Sequence, residues 1–255
     1  MMFVDTHSHI YSEEFSSDRD EVIARALKSG VNKIILPNID SSTLKPMLDL
    51  AGSQPDLFIP LLGLHPTSVK EDFRKELEIM EYWLSKRKFS GIGEIGIDLY
   101  WDKNFIREQI EAFRIQIGWA KKGGMPIVIH VRDSFQEVIE VLLEERDDSL
   151  RGVFHSFTGT AEQAAQVIDL GFMIGVGGIV TFKNSGLDTV IQQISMQHIL
   201  LETDSPWLAP VPHRGRRNEC AYITAVATKI ASLHQIPIEE VARITTQNAQ
   251  QLFGF

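Results

Sequence analysis

Eight short apolar runs, each of strand length and rich in β-branched residues, recur along the chain with longer stretches of helical periodicity between them. They are FVDTH from Phe3, KIILP from Lys33, LFIPLLGL from Leu57, GIGEIG from Gly91, PIVIHV from Pro126, GVFHSF from Gly152, FMIGVGG from Phe172 and ILLETD from Ile199. Strands that read as continuous apolar runs and alternate with amphipathic helices are the pattern of a parallel sheet covered by βαβ crossovers. The segments Asp20 to Ser29, Phe105 to Lys122, Asp133 to Glu144 and Thr160 to Leu170 have the helical period, several with Asp, Ser or Thr near their start. Gly30, Gly123 and Gly171 close three of them, where a left-handed cap favours glycine.

Eight such units predict an α/β chain folded as a single (β/α)8 TIM barrel over residues 1–255. The segments Glu219 to Leu233 and Ile238 to Phe253 would be the last outer helix and a C-terminal helical extension. A chain of 255 residues could also make two small units, but 44% hydrophobic and 23% charged residues with no linker-like tract favour one. The rival architecture is a doubly wound open sheet, whose glycine-rich phosphate turn after the first strand is absent.

A formal net charge of -9 argues against a broad basic surface for nucleic acid, so any such partner would be gripped locally. Cys220 is the only cysteine, which excludes an internal disulfide and a cysteine-built zinc cluster. The N-terminal MMFVDTHSHI is not a secretory leader and no long apolar run follows, so a soluble, cytoplasmic chain is expected, with no membrane association and no obligate protein partner evident.

The positions of the histidines carry the most information about chemistry. His7 and His9 close the first predicted strand, His65 the third, His130 the fifth and His155 the sixth, so five of the eight histidines sit at carboxyl ends. Glu94 lies in the fourth strand and Asp204 just past the eighth. In a barrel these ends converge on one mouth, where the βα loops build the site. The two-residue spacing of His7 and His9 puts both rings on one face, able to share one cation. Taken singly, a strand histidine is more often a hydrogen-bonded core residue, and Glu94 or Asp204 more often an ion-pair or cap group. Gathered at one end of a sheet, so many buried charges and imidazoles are costly unless a cation satisfies them. His7, His9, Glu94, His130, His155 and Asp204 are therefore the metal-ligand candidates.

His198 and His234 are read as structural or solvent-facing, and His213 as either a substrate contact or an ordinary loop residue. His65, Arg132 and Arg214 are candidates for holding a substrate phosphate, which a guanidinium fork binds bidentately. Arg214 belongs to a basic loop with Arg216 and Arg217 that can equally be a solvated surface run, and Arg132 can equally be paired with Asp133 or Glu94. Tyr100, Trp101 and Trp207 follow the Glu94 and Asp204 strands and could stack on a base, although loop packing is the commoner role.

DTHSHIY at Asp5, GLHP at Gly63, GEIGID at Gly93, IHVRD at Ile129, HSFTG at His155, LLETDSPWLAP at Leu200 and RGRRNE at Arg214 together resemble the TatD-type deoxyribonucleases, a branch of the amidohydrolase-like barrels. The likeness implies that His7, His9, Glu94 and Asp204 serve one divalent cation and that Glu94, His130 and His155 serve a second, with Glu94 bridging. It also implies 3' to 5' exonuclease action on DNA, favouring strand ends and single strands, with magnesium, manganese or zinc as the metal. One departure is Cys220, where the family usually shows proline after RNE. In the reaction this implies, Asp204 and Glu94 are the catalytic pair, with Asp204 orienting a water and taking its proton. Two other functions fit the same residues: hydrolysis of an ester or amide, such as an aminoacyl-tRNA ester, and a catalytically silent barrel acting as a binding protein.

Overall fold

The computed structural model describes residues 1–255. Its strands are β1 (Phe3–Asp5), β2 (Val31–Leu36), β3 (Phe58–Pro60), β4 (Ile92–Asp98), β5 (Ile127–Arg132), β6 (Gly152–Phe154), β7 (Phe172–Val176) and β8 (Ile199–Leu201). The helices are α1 (Arg19–Lys28), α2 (Ser41–Ser53), α3 (Phe73–Lys86), α4 (Ile106–Gly123), α5 (Phe135–Glu144), α6 (Ala161–Asp169), α7 (Leu187–Ile191), α8 (Ile223–His234) and α9 (Ile238–Phe253). Each observed strand lies within or overlaps one predicted run, and most are shorter because their carboxyl ends leave the ladder as loops.

All pairings are parallel, in the orders β1-β2-β3 and β4-β5-β6-β7-β8. Single bridges join the two sets. Leu62 meets Ile92, with the Gly93 N–H donating to the Leu62 carbonyl at 2.9 Å. On the other side Ser8 meets Ser205, and the Thr6 N–H donates to the Leu201 carbonyl at 3.0 Å. Eight parallel strands in sequence order, closed on themselves, make the expected (β/α)8 barrel.

The period of two sorts the apolar side chains into two layers. Ile34, Leu36, Ile127, Ile129, Phe154, Ile199 and Leu201 face the helices and join the large outer core. Their neighbours Ile35, Val128, Val153 and Leu200 form a separate inner cluster. Ala249, Leu252 and Phe253 belong to that inner cluster, so the end of α9 plugs the barrel at its amino-terminal end. The predicted C-terminal extension is thus a stopper. Asn248 fixes it by donating to the carbonyls of Met196 and Ile199, both at 2.9 Å.

Candidate metal centre

The inner alternation continues beyond the apolar cluster and delivers the polar groups. His130 is two residues past Val128, His155 two past Val153, and Glu202 two past Leu200. At β1, Ser8 turns away to meet Ser205 at 2.7 Å and Cys220 at 3.2 Å, which leaves His7 and His9 on the opposite, inward side. Glu94 reaches the centre through a bulge, since the register of β4 against β5 gains one residue between Ile92 and Ile95. Beside it Gly93 must be glycine, because a Cβ there would come within 2.7 Å of Val128 Cβ.

The two oxygens of Glu94 face two different sets of rings. Oε2 lies 3.1 Å from His7 Nε2 and 3.6 Å from His9 Nε2. Oε1 lies 2.7 Å from His130 Nδ1, 3.2 Å from His155 Nε2 and 3.3 Å from His65 Nε2. Asp204 Oδ1 adds to the first set at 3.8 Å from His7 and 3.9 Å from His9. All six predicted ligands are therefore in one place. His65 joins them, nearer to the ligand set than the phosphate-contact role expected for it.

Hydrogen bonds outside the cluster decide which ring nitrogens are free. The Tyr11 hydroxyl donates to the Pro37 carbonyl at 2.6 Å, so it accepts from His9 Nδ1–H at 2.8 Å and leaves His9 Nε2 with its lone pair inward. Asp98 Oδ2 lies 2.9 Å from His130 Nε2 and accepts its hydrogen, which frees Nδ1 on the Glu94 side. Glu202 Oε1 sits 3.3 Å from His155 Nδ1, on the side away from Glu94. His65 is the opposite case. The Thr67 N–H donates to its Nδ1 at 3.1 Å, so its hydrogen is on Nε2 and points into the site as a donor. A hydrogen donor in that position suits a substrate oxygen better than a cation.

The cluster fits a cation on its own evidence. His7 and His9 bring their Nε2 atoms to 3.1 Å, and the buried His7 Nδ1 has no partner. Burial pushes the His7 pKa well below the ordinary imidazole value, with His155, stacked on it at 3.7 Å, adding to the fall and Glu94 opposing it. Burial likewise lowers His65 against the opposing pull of Glu94. Burial pushes Glu94 up, yet the rings of His155, His65 and His7 outweigh it and hold the carboxyl well below its usual range. Burial raises Asp204 to about 8, and Glu94 and Glu202 add to the rise while His155 opposes it. Imidazoles and carboxylates packed this tightly make a set of N and O donors that a divalent cation suits.

Three groups in the site were not singled out from sequence. Asp98 and Tyr11 hydrogen-bond the rings of His130 and His9 and fix them, and Glu202 lies beside His155 at ion-pair distance. Glu202 was findable, being two residues before Asp204 on a period-two strand. It is admitted by Gly175, where a Cβ would lie 2.5 Å from Glu202 Oε2. Asp98, four past Glu94, and Tyr11, two past His9, also share the parity of the ligands, so the same signal could have found them.

The cluster opens into a cavity of about 490 Å³ lined also by Trp101, Arg132, Trp207 and Leu208. Arg132 stands at its rim with its guanidinium 3.8 Å over the Tyr100 ring, and the ion pair weighed with Asp133 or Glu94 does not form. Arg214 is not brought to this cavity. It lies 4.0 Å over Phe182 beside a separate surface depression, where an aromatic face and solvent serve the cation. Arg217 is structural, paired with Asp18 at 2.6 Å. His213 stacks on Tyr222 at 3.7 Å and lies outside the cavity.

The family model described as TatD related DNase matches residues 4–254. The chain belongs to the TatD family. Among TatD relatives, a Bacillus subtilis protein named as the uncharacterized metal-dependent hydrolase YabD is 38% identical over 253 residues, covering 99% of both chains. The Escherichia coli metal-dependent hydrolase YcfH is 34% identical over 259 residues, 99% of this chain and 96% of its own. The crystal structure of YjjV, a TatD homologue of Escherichia coli, superposes with a TM-score of 0.93 at 30% identity, covering 99% of this chain and 98% of that one. The protein is thus a metal-dependent hydrolase. No helix in it is long and apolar enough to cross a membrane.

Proposed function

We propose that the chain hydrolyses phosphodiester bonds of DNA, acting on strand ends and preferring unpaired ones, with two divalent cations on either side of Glu94. The observation that carries this reading is the division of the Glu94 oxygens between two sets of imidazoles. One carboxylate between two ligand sets has the form of a bridging ligand, and paired cations suit in-line displacement at phosphorus. The family model's description as DNase supports DNA as the substrate class. Imidazole-rich ligation favours zinc or manganese over magnesium on affinity.

His7, His9 and Asp204 would hold one cation, His130 and His155 the other, with Glu94 common to both. Such cations supply Lewis acidity: they draw charge from phosphoryl oxygens and make water a stronger acid. Asp204 faces the open cavity and orients the attacking water, taking its proton. His65 donates from Nε2 to a non-bridging oxygen, and Arg132 closes on the phosphate from the rim. Trp101 and Trp207 follow β4 and β8, which are opposite strands of an eight-stranded ring, and offer exposed faces to bases on both sides of the cavity.

The test is incubation of the manganese- or zinc-loaded protein with single-stranded and duplex DNA labelled at the 3' end, and with an aminoacyl-tRNA ester. Release of mononucleotides, faster from the single strand and lost in His130→Ala, is expected. No nucleotide release above the His130→Ala control would sink the nuclease reading, and ester turnover in its place would favour the other hydrolytic function.

A further inference from the structure

A second cavity, of about 480 Å³, opens beside the central one. It lies between the loops that follow β5 and β6, with Tyr100 from the loop after β4 at its edge. Arg132 and His155 line both cavities, so the two share a wall made of one rim cation and one candidate ligand. The chemistry proposed above uses none of the other residues here.

The lining mixes the rings of Tyr100 and Phe157 with the hydroxyls of Ser156 and Thr158 and the side-chain amide of Gln163. Flat apolar surface with a few hydrogen-bonding groups, at this volume, suits a nucleobase joined to a sugar. The walls are also specially shaped. Asp133 and Ser156 are two of the chain's five non-glycine residues with left-handed backbone, at φ 54° and 46°, and both line this cavity. Such backbone is costly and gathers at binding sites. Ser156 is held in it by its N–H, which donates to Glu202 Oε1 at 2.6 Å. Arg132, stacked on Tyr100 and paired with no carboxylate, keeps its N–H edge free at the threshold between the cavities.

We infer that the side cavity is the subsite for the terminal nucleoside of the strand. Its 5'-phosphate sits at the Glu94 cluster, and its sugar and base pass the Arg132–His155 threshold to lie against Tyr100 and Phe157. The inference rests on the DNA reading and adds which side of the broken bond is gripped. Water attacks phosphorus and the bond to the 3'-oxygen of the preceding nucleotide breaks. One proton of that water goes to Asp204, and the departing 3'-oxygen takes a proton from solvent. The products are a nucleoside 5'-monophosphate, held by the side cavity, and a strand one residue shorter with a 3'-hydroxyl. Loops after three successive strands wall the cavity, which has room for a nucleoside.

The test compares the p-nitrophenyl ester of thymidine 5'-monophosphate with bis(p-nitrophenyl) phosphate, which carries no nucleoside. In the manganese-loaded protein, Thr158→Trp fills the cavity from an exposed position, and Tyr100→Ala removes a ring from its edge. For each, kcat/KM for the thymidine ester relative to bis(p-nitrophenyl) phosphate is expected to fall about tenfold, mostly through KM. Calorimetric affinity for thymidine 5'-monophosphate should weaken by a similar factor, and affinity for inorganic phosphate by much less. An unchanged ratio with unchanged nucleotide affinity in both variants would overturn the subsite. Wild-type protein that cleaves bis(p-nitrophenyl) phosphate but neither the thymidine ester nor DNA would overturn the DNA reading, and the subsite with it.

Discussion

Glu94 is the residue on which the site turns, and the rings around it are set by hydrogen bonds on their far sides. Asp98 takes the hydrogen of His130 Nε2, and Tyr11 that of His9 Nδ1. Removing such an outer partner typically weakens metal binding 10- to 100-fold. Asp98→Ala should therefore lower affinity for manganese or zinc by about that factor, read by metal titration, while the far-ultraviolet spectrum stays that of the wild type. Protons should also compete with the cation. Burial works against a charged His155, but Glu94 and Glu202 overcome it and hold its pKa well above the usual imidazole value. These carboxylates favour a proton on His155, which a cation must displace because a ligand ring is neutral. Cation uptake at pH 7 should release protons, and affinity should rise as pH rises. Calorimetry in buffers of different ionisation enthalpy reads this directly, and a binding heat independent of buffer would contradict imidazole ligation.

At the level of elements, the loop after β8 is fastened to α1. Arg217 pairs with Asp18 at 2.6 Å, and Arg25 with the buried Glu219 at 2.8 Å. The hydrogen bond from Arg217 is the main reason the Asp18 carboxyl is held below its ordinary 3.8. A carboxyl lowered by folding stabilises the native state above its unfolded pKa, and that contribution is lost as pH falls through the folded value. Arg217→Ala should therefore unfold at a lower temperature than wild type at neutral pH, and the two should converge once pH is well below 3.8. A gap that persists unchanged into acid would mean that the strap acts through packing. From sequence, Arg214, Arg216 and Arg217 form one basic run. Their separation into an aromatic stack and an ion pair depends on Phe182 and Asp18, distant in the chain.

For the whole molecule, both ends of the barrel are specialised. Polar groups fill the carboxyl end, and α9 stoppers the other with Leu252 and Phe253. Truncating a buried leucine removes transfer energy and leaves a cavity, at a cost of about 2–5 kcal/mol. Leu252→Ala is expected to lose stability in that range by urea unfolding, while the metal stoichiometry of the folded protein is retained. Loss of metal alongside a small change in stability would show that the stopper and the mouth are coupled.

The sequence alone determined the eight-unit barrel and the six candidate ligands, because strand period and strand ends are local properties that a single pass along the chain can read. His7 and His9, two apart, and His130 two past Val128 are cases in which parity suffices. Only the tertiary structure decided how Glu94 divides its oxygens, that His65 carries its hydrogen toward the site, that Asp98 and Tyr11 fix the rings, and that Arg214 stands apart. These depend on a bulge in β4, on irregular loops and on partners far apart in the chain, where side-chain direction follows from packing and hydrogen bonding and no longer from spacing.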